Sequence, residues 1–446
     1  MIVDASSPLM ARKWEFLWLC GLILSFAYEL PIWYPTSYDR VNPRLFDLMF
    51  FVGVLTVLPN LRRCVRLPSL FWIWAAIVVV FCYCALAWTV SILPWEYGQF
   101  SLFFAAKYIE GLIVIYIAVK IPLDERQKRI IHRLVVCGGV FVALYSIPQY
   151  GSAITEWTIS GGKTVATFGR VIFGPLSRSY FHVGLFSVLS FAMTLCLVPA
   201  IRNIWRSWFC LGLAFFVAWP ALACGSRAAI AGVAIVLLVS VFLRPILMRK
   251  CLALVILAAC FIYVADVNIE AIYKEDMSLG LKRFETDSDS PNSILDRLMI
   301  QYSIDQYVLD GLPVPFVGAG FGVAPVDDGM GSLHYRVGYG IHNSYFFAFE
   351  QGGIMAFVLF LVFLYYAVRC LNRTLKSRMA VERQFALGLS AYMAFLLANA
   401  FAGQAFWRGF DTANFNTYVV LLLMMVTRYS AGPDAPSTLR NRQIGP

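Results

Sequence analysis

Residues 340–360 read GIHNSYFFAFEQGGIMAFVLF, so His342 and Asn343 stand directly before a long apolar run that carries Glu350. A neutral imidazole titrates near physiological pH and can take a proton from an attacking hydroxyl. The chain has four histidines; His132 falls on the opposite side of the span pattern set out below, which leaves His182, His334 and His342. A lone histidine is also a common hydrogen-bonded structural residue, so both readings stand for His342. Arg227, in CGSRAAIAG, begins another apolar run between Gly225, Ser226 and two alanines. An arginine at the start of a span is costly unless it is paired or faces a wet cavity, and small neighbours let a substrate or another helix come close.

Further basic residues share the side of His342: Arg297, Arg336, Lys282 and Arg283 beside Glu285, then Lys163, Arg170, Arg178 and Arg408. The planar fork of arginine grips phosphate oxygens bidentately, so such a set suits a lipid-linked phosphate or diphosphate. The competing reading is that these arginines snorkel to lipid headgroups. Metal chemistry finds little support. TDSDS holds Asp287 and Asp289 in a short D-x-D spacing, but no surrounding nucleotide-binding domain is visible. Walker loops, H-E-x-x-H and an ordered Ser-His-Asp set are absent. Eleven cysteines sit in or near apolar runs, with neither a disulfide framework nor zinc spacing.

The elements that must position these groups follow from composition. Sixty per cent of residues are hydrophobic, 14% are charged and the mean hydropathy is +0.71, against roughly a quarter charged in soluble domains. This composition predicts an all-α integral membrane protein. Apolar runs near the ~20 residues needed to cross a bilayer fall at 14–34, 45–60, 69–94, 99–119, 130–148, 180–201, 208–224, 227–247, 251–266, 343–369, 384–406 and 411–427, about 12 transmembrane helices. The run at 45–60 is short, and the close pair 208–224 and 227–247 could be read as one. Residues 1–266 then carry nine spans, 267–342 a single large periplasmic loop, 343–428 three more spans and 429–446 a cytoplasmic tail.

Lysines and arginines in the connections place both termini in the cytoplasm. The net charge of +10 is therefore an anchoring pattern and not a nucleic-acid footprint. No cleavable signal peptide is visible, and the first span reads as its own anchor. The loop keeps apolar periodicity: SILDRLMIQYSIDQYVL (293–309) spaces Ile294, Leu298, Met299, Tyr302, Ile304 and Val308 as an amphipathic helix on the membrane face. GLPVPFVGAGFGVAP after it reads as a glycine-rich turn with little regular structure.

Three pieces in order, GSRAAIAGVAIVLL (225–238), DRLMIQYSIDQYVLDGLPVPFVGAGFGVAP (296–325) and HNSYFFAFEQGGIMAFVLFL (342–361), resemble the O-antigen ligase and bacterial polysaccharide polymerase family. The matching positions are Ser226 and Arg227; Arg297 and Leu298; Pro315, Gly318, Gly320 and Gly322; and His342, Asn343, Tyr345, Glu350 and Gly353. Ala356 stands where a second glycine is usual, and Gln351 where a small residue is commoner; both departures touch helix packing more than chemistry. The likeness covers mainly residues 165–370.

The resemblance implies a glycosyl transfer without metal or cofactor on the periplasmic side of the bacterial inner membrane. The donor would be a glycan on undecaprenyl diphosphate, and the acceptor a hydroxyl of lipid A core or of another glycan. His342 is then the candidate base or acceptor-orienting group. Arg227 and Arg297 are the candidates for the diphosphate, and Arg178, Arg170, Arg336, Asn343 and Tyr345 for further substrate contacts. Asn343 could equally be a helix cap. Ligase and polymerase share scaffold and donor, so the motifs do not separate them; protein O-glycosylation is a near neighbour. A transporter or lipid-linked glycan flippase is the alternative of another class, with Lys107, Glu110 and Glu350 on a path through the membrane. The paired broken helices and repeat halves of transporters are not visible in the sequence.

Overall fold

The computed structural model describes residues 13–27, 44–61, 67–91, 95–152, 158–159, 163–164, 180–223, 226–253, 318, 323–327, 333–337, 343–377, 379–401 and 421–424. Ten named helices dominate them. They are α1 (Lys13–Ser25), α2 (Leu45–Val52), α3 (Ser69–Ser91), α4 (Trp95–Val119), α5 (Glu125–Ser152), α6 (Tyr180–Leu195), α7 (Ile204–Ala223), α8 (Arg227–Leu243), α9 (Ser344–Leu375) and α10 (Ala380–Ala400). Among the described residues, six segments are long and apolar enough to cross a membrane: Ser69–Ala87, Ser101–Lys120, Glu125–Ile147, Val183–Ala200, Ile204–Ala223 and Ser344–Leu375. The protein is thus a helical membrane protein. The close pair of apolar runs is two helices, because Ser226 interrupts them with an extended backbone and caps α8 by accepting from the Ala229 amide. The short run is α2 prolonged by a π turn, Gly53–Val57, and a 3₁₀ turn, Leu58–Asn60.

Burial separates a core from a lipid-facing surface. α6 is apolar all round and is the central helix, packed on α5, α7, α8 and α10; a helix without a polar face belongs in a core. Gly139 brings α5 against Ser190 of α6 and Val217 of α7, where a methyl group would sit 2.4–2.6 Å from their side chains. Outward from this centre, Trp72, Tyr83 and Val90 on α3 and Leu238 and Phe242 on α8 are 60–84% exposed. Water would penalise such a surface, whereas hydrocarbon accepts it.

Pair contacts fix which helix ends lie together. Phe71 meets Tyr116 and Phe81 meets Tyr108, so α3 and α4 are antiparallel. Trp74 meets Phe363, and Gly352 abuts Phe81, so α9 also runs against α3. His132 touches Phe385 and the Met193 carbonyl, while Tyr392 bonds the Leu185 carbonyl; the starts of α5 and α10 therefore share the end of α6. One face of the bundle gathers Lys13, Lys120, Arg126, Arg129, Arg202, Arg206, Arg244, Arg249, Lys250, Arg373, Lys376 and Arg383. The N-termini of α2, α4, α8 and α9 lie at the opposite face.

A buried ion pair locks the basic face. Lys128 Nζ of α5 lies 2.9 Å from Glu382 Oε1 of α10, with both side chains only 1–2% exposed. Ser377 Oγ donates to Glu382 Oε2 at 2.6 Å.

Among the described residues, two antiparallel strand pairs accompany the helices. The first is β1 (Thr158–Ile159) with β2 (Lys163–Thr164); the second is β3 (Val323–Asp327) with β4 (Leu333–Val337), and both strands of the second contact α4. β3 takes up the last three residues of the glycine-rich stretch, 323–325; of the rest only Gly318 is among the described residues. Val323 pairs with Val337 and Pro325 with Tyr335; in a two-stranded ribbon every strand is an edge, where a proline is tolerated. The amphipathic segment 293–309, most of the loop 267–342 and the tail 429–446 lie outside the described residues, as do most of the spans at 251–266 and 411–427.

Candidate functional site

The face opposite the basic one brings together several of the residues singled out by sequence. Arg227 is the first residue of α8, and Gly232 one turn further in abuts Phe395 near the end of α10. Phe401, just beyond α10, packs against Tyr345 with the rings tilted by 39° at a centroid distance of 4.8 Å. The starts of α8 and α9 therefore flank the same end of α10. His342, Arg297, Arg178 and Arg170 lie outside the described residues, and Arg336 is placed as a backbone position in β4.

Asn343 is the cap of α9. Its Oδ1 accepts from the amides of Tyr345 at 2.9 Å and Phe346 at 3.3 Å, with an extended backbone (φ −144°, ψ 117°). The cap satisfies donors that a helix start leaves without intrahelical partners. The ring of Tyr345 lies between Phe360 and Phe401, a packing role that its place in the motif did not indicate.

α9 is broken. Gly353 has φ 65° and ψ −168°, a conformation open essentially to glycine alone. Residues 354–375 number about 22, which at 1.5 Å per residue reach ~33 Å and suffice to cross the hydrocarbon core. Adjacent glycines offered no sign in the sequence of this break or of the buried polar groups beside it. Glu350 and Gln351 are each 1% exposed directly before it.

Gly318, from the glycine-rich turn, sits on this break. Its φ is +63°, and a methyl group on it would lie 2.4 Å from the Gly352 nitrogen and 2.5 Å from the Gln351 carbonyl. Gly352 in turn leaves no room beside Phe81 of α3 and Ala356, where a methyl group would come within 2.4–2.8 Å. Two pieces of the sequence motif, some thirty residues apart, thus meet backbone to backbone.

A charged cluster was only partly legible. Lys107 Nζ of α4 lies 2.5 Å from Asp47 Oδ1 of α2 and 2.8 Å from Glu110 Oε2. Sequence pointed to Lys107 and Glu110 but not to Asp47, whose signal was a single carboxylate within LFDLMFFV. The ammonium holds the two carboxylates together and ties α2 to α4. Among the described residues no three His, Cys, Asp or Glu side chains stand close enough to share a metal ion; Asp287 and Asp289 lie outside them.

The arrangement can hold a glycine-seated loop and a capped helix start against one end of a bundle, with the first residue of α8 beside them. No protein-family model matches the chain, and no curated protein matches it.

Proposed function

We propose that this protein is a metal-independent membrane glycosyltransferase of the O-antigen ligase type, working at the periplasmic face of the inner membrane. A glycan passes from undecaprenyl diphosphate to an acceptor hydroxyl of lipid A core, or, in the polymerase variant, of another lipid-linked glycan. The acceptor oxygen bonds to the anomeric carbon, the bond from that carbon to the diphosphate oxygen breaks, and the hydroxyl proton goes to His342. The leaving diphosphate keeps the electron pair, and Arg227 and Arg297 balance its charge.

The observation that carries the reading is the seat of Gly318 on the Gln351–Gly352 backbone. It joins the glycine-rich turn to the helix that His342 precedes, at the face where Arg227 begins α8. The basic residues at the other face support the orientation, because they are retained in the cytoplasm. Cysteines introduced at Ser288 and Ser332 should react with a membrane-impermeant maleimide in intact spheroplasts; labelling only after lysis overturns the orientation.

The decisive assay is transfer of a lipid-diphosphate-linked glycan to an added acceptor in excess EDTA. His342→Ala should lose about 10²–10⁴-fold in rate at equal membrane abundance, and His334→Ala far less. Activity abolished by EDTA and restored by magnesium or manganese removes the metal-free mechanism. Robust turnover by His342→Ala removes that histidine from the reaction.

A transporter or flippase is the second reading, favoured by the break in α9 beside Glu350 and by the charged cluster on α2 and α4. Purified protein that moves a lipid-linked glycan across a vesicle membrane, without releasing lipid diphosphate, would establish it.

A further inference from the structure

Asn399 stands one residue before the end of α10 and is 8% exposed. Its Nδ2 is buried and has no hydrogen-bond partner among the described residues. A carboxamide carries two N–H donors and an acceptor oxygen, which hydrocarbon cannot satisfy. Buried polar groups are nearly always paired, so a buried amide left unmet calls for an acceptor from outside the chain.

Neighbouring contacts place this side chain. Phe395, one turn back, abuts Gly232 of α8, and Tyr392, two turns back, bonds the Leu185 carbonyl of α6. At about 100° per residue, position 399 lies ~40° from the direction of Phe395 and ~20° from that of Tyr392, so it faces the seam between α8 and α6. α8 and α6 both run against α10. One turn beyond Gly232 is the first turn of α8, and two turns beyond Leu185 is the start of α6 at Tyr180. The seam is enclosed and turned away from lipid: Val183 of α6 and Ser226 and Ala229 of α8 are 0–5% exposed. On the other side of α10, Phe401 packs against Tyr345 of α9.

The polar groups around the seam are already committed. Ser226 Oγ accepts from the Ala229 amide at 3.4 Å, Asn343 Oδ1 accepts from Tyr345 and Phe346, and the Tyr392 hydroxyl is spent on Leu185. The end of α10 is thus ringed by three helix starts, with Arg227 at the first position of α8, and the carboxamide at its centre keeps a free donor. An arginine supplies charge, as a phosphate requires. A neutral carboxamide supplies a donor and an acceptor side by side, which is the complement of a sugar hydroxyl.

We propose that Asn399 is a specificity contact for the transferred glycan: its carboxamide hydrogen-bonds the sugar next to the diphosphate, in the seam between the starts of α6 and α8. The identity of the ligand rests on the function proposed above. Asn399 reads the sugar and leaves the carrier to the arginines, so it separates a loaded carrier from a spent one.

The test uses the full-length protein in lipid nanodiscs, followed by thermal unfolding and titrated with two probes: undecaprenyl diphosphate carrying a glycan, and undecaprenyl diphosphate alone. Asn399→Leu keeps the side-chain size and removes the unmet amide, so its ligand-free Tm should equal or exceed that of wild type. Wild type should bind the glycan-bearing lipid more tightly than the bare one. Asn399→Leu should bind the glycan-bearing lipid roughly 5–10-fold more weakly, the worth of a lost hydrogen bond, and the bare lipid with wild-type affinity. Asn399→Ala should show the same split, and it serves if Asn399→Leu fails to accumulate. A lowered ligand-free Tm in Asn399→Leu with unchanged affinities marks a structural asparagine and overturns the proposal. Equal weakening toward both lipids also overturns it, because the contact is then to the diphosphate. Selective loss of glycan binding with no transfer by the wild type would keep this contact and remove the transfer reaction. Unchanged binding alongside His342-dependent transfer would do the reverse.

Discussion

Replacing Gly318 by alanine probes the contact on which the proposed site depends. Two penalties arise from the geometry. A residue with a Cβ at φ +63° costs about 1–2 kcal/mol in the left-handed region. The new methyl group would stand 2.4–2.5 Å from backbone atoms of Gln351 and Gly352, and forcing such contacts apart typically costs about 1–3 kcal/mol. Backbone atoms cannot swing away as a flexible side chain can, so the two penalties together weaken the seat by roughly 3 kcal/mol. At about 1.4 kcal/mol per factor of ten, the unseated loop becomes ~10²-fold more populated. Hydrogen exchange of the 344–352 amides should accelerate by that order, while amides in the middle of α10 keep their protection. Glycan transfer should fall in parallel at equal membrane abundance. Gly212→Ala is the control: nothing lies within 4 Å of its added methyl group in α7, so it should be neutral or stabilise by about 0.5–1 kcal/mol. Wild-type exchange and turnover in Gly318→Ala would refute the idea that the turn is seated on the break.

Other perturbations test neighbouring parts of the argument. Lys128→Met should cost about 3–5 kcal/mol, read as a lower Tm, because it strands the 2%-exposed Glu382 carboxylate; Lys128→Met with Glu382→Leu should recover much of it. Lys107→Met leaves Asp47 and Glu110 facing one another without their shared ammonium and should destabilise by about 2–4 kcal/mol, partly relieved by adding Glu110→Gln. Asn343→Ala should lose about 1 kcal/mol of stability as a cap, and Asn343→Asp should restore it; transfer that follows stability through both variants marks a cap, whereas transfer lost in Asn343→Asp at restored stability marks a sugar contact.

The helices were legible because hydrocarbon demands apolar runs of a minimum length, and that demand is written residue by residue. The close pair α7 and α8 was the least distinct, and the Ser226 cap at the start of α8 is what parts it. What sequence concealed were relations between distant positions. Asp47 and Lys107 are 60 residues apart and Lys128 and Glu382 are 254 apart, and no local pattern announces either partner. The break at Gly353 was hidden for another reason: adjacent glycines are compatible with a helix as well as with a kink, and only the packing of Gly318 and Phe81 decides between them. Asn343 looked alike as cap or ligand, because both uses need the same short side chain with an acceptor oxygen. Tyr345 stands in the motif among the candidate substrate contacts, and nothing in the motif told of the rings of Phe360 and Phe401 that pack against it.

One regularity links these pieces. Ser226 with Arg227, and Asn343, stand at or beside the first residue of a helix, and both helices begin at the face away from the basic one. A helix start presents amides without intrahelical acceptors and the positive end of its dipole. Ser226 and Asn343 satisfy part of that demand with their own oxygens. Arg227 adds charge of the same sign instead. In a helix chosen for stability alone that choice is unfavourable, since cations belong at helix C-termini. It becomes favourable when a multiply charged anion sits at the same face, because fork and amides then act on one group. Lipid-linked diphosphate is such an anion, and it is confined by its chain to the membrane surface where these helix starts end. On this argument Arg227→Lys should keep the fold and lose most transfer, since a point charge cannot reproduce two parallel hydrogen bonds; near-normal turnover in that variant would leave Arg227 as a headgroup anchor and detach it from the diphosphate.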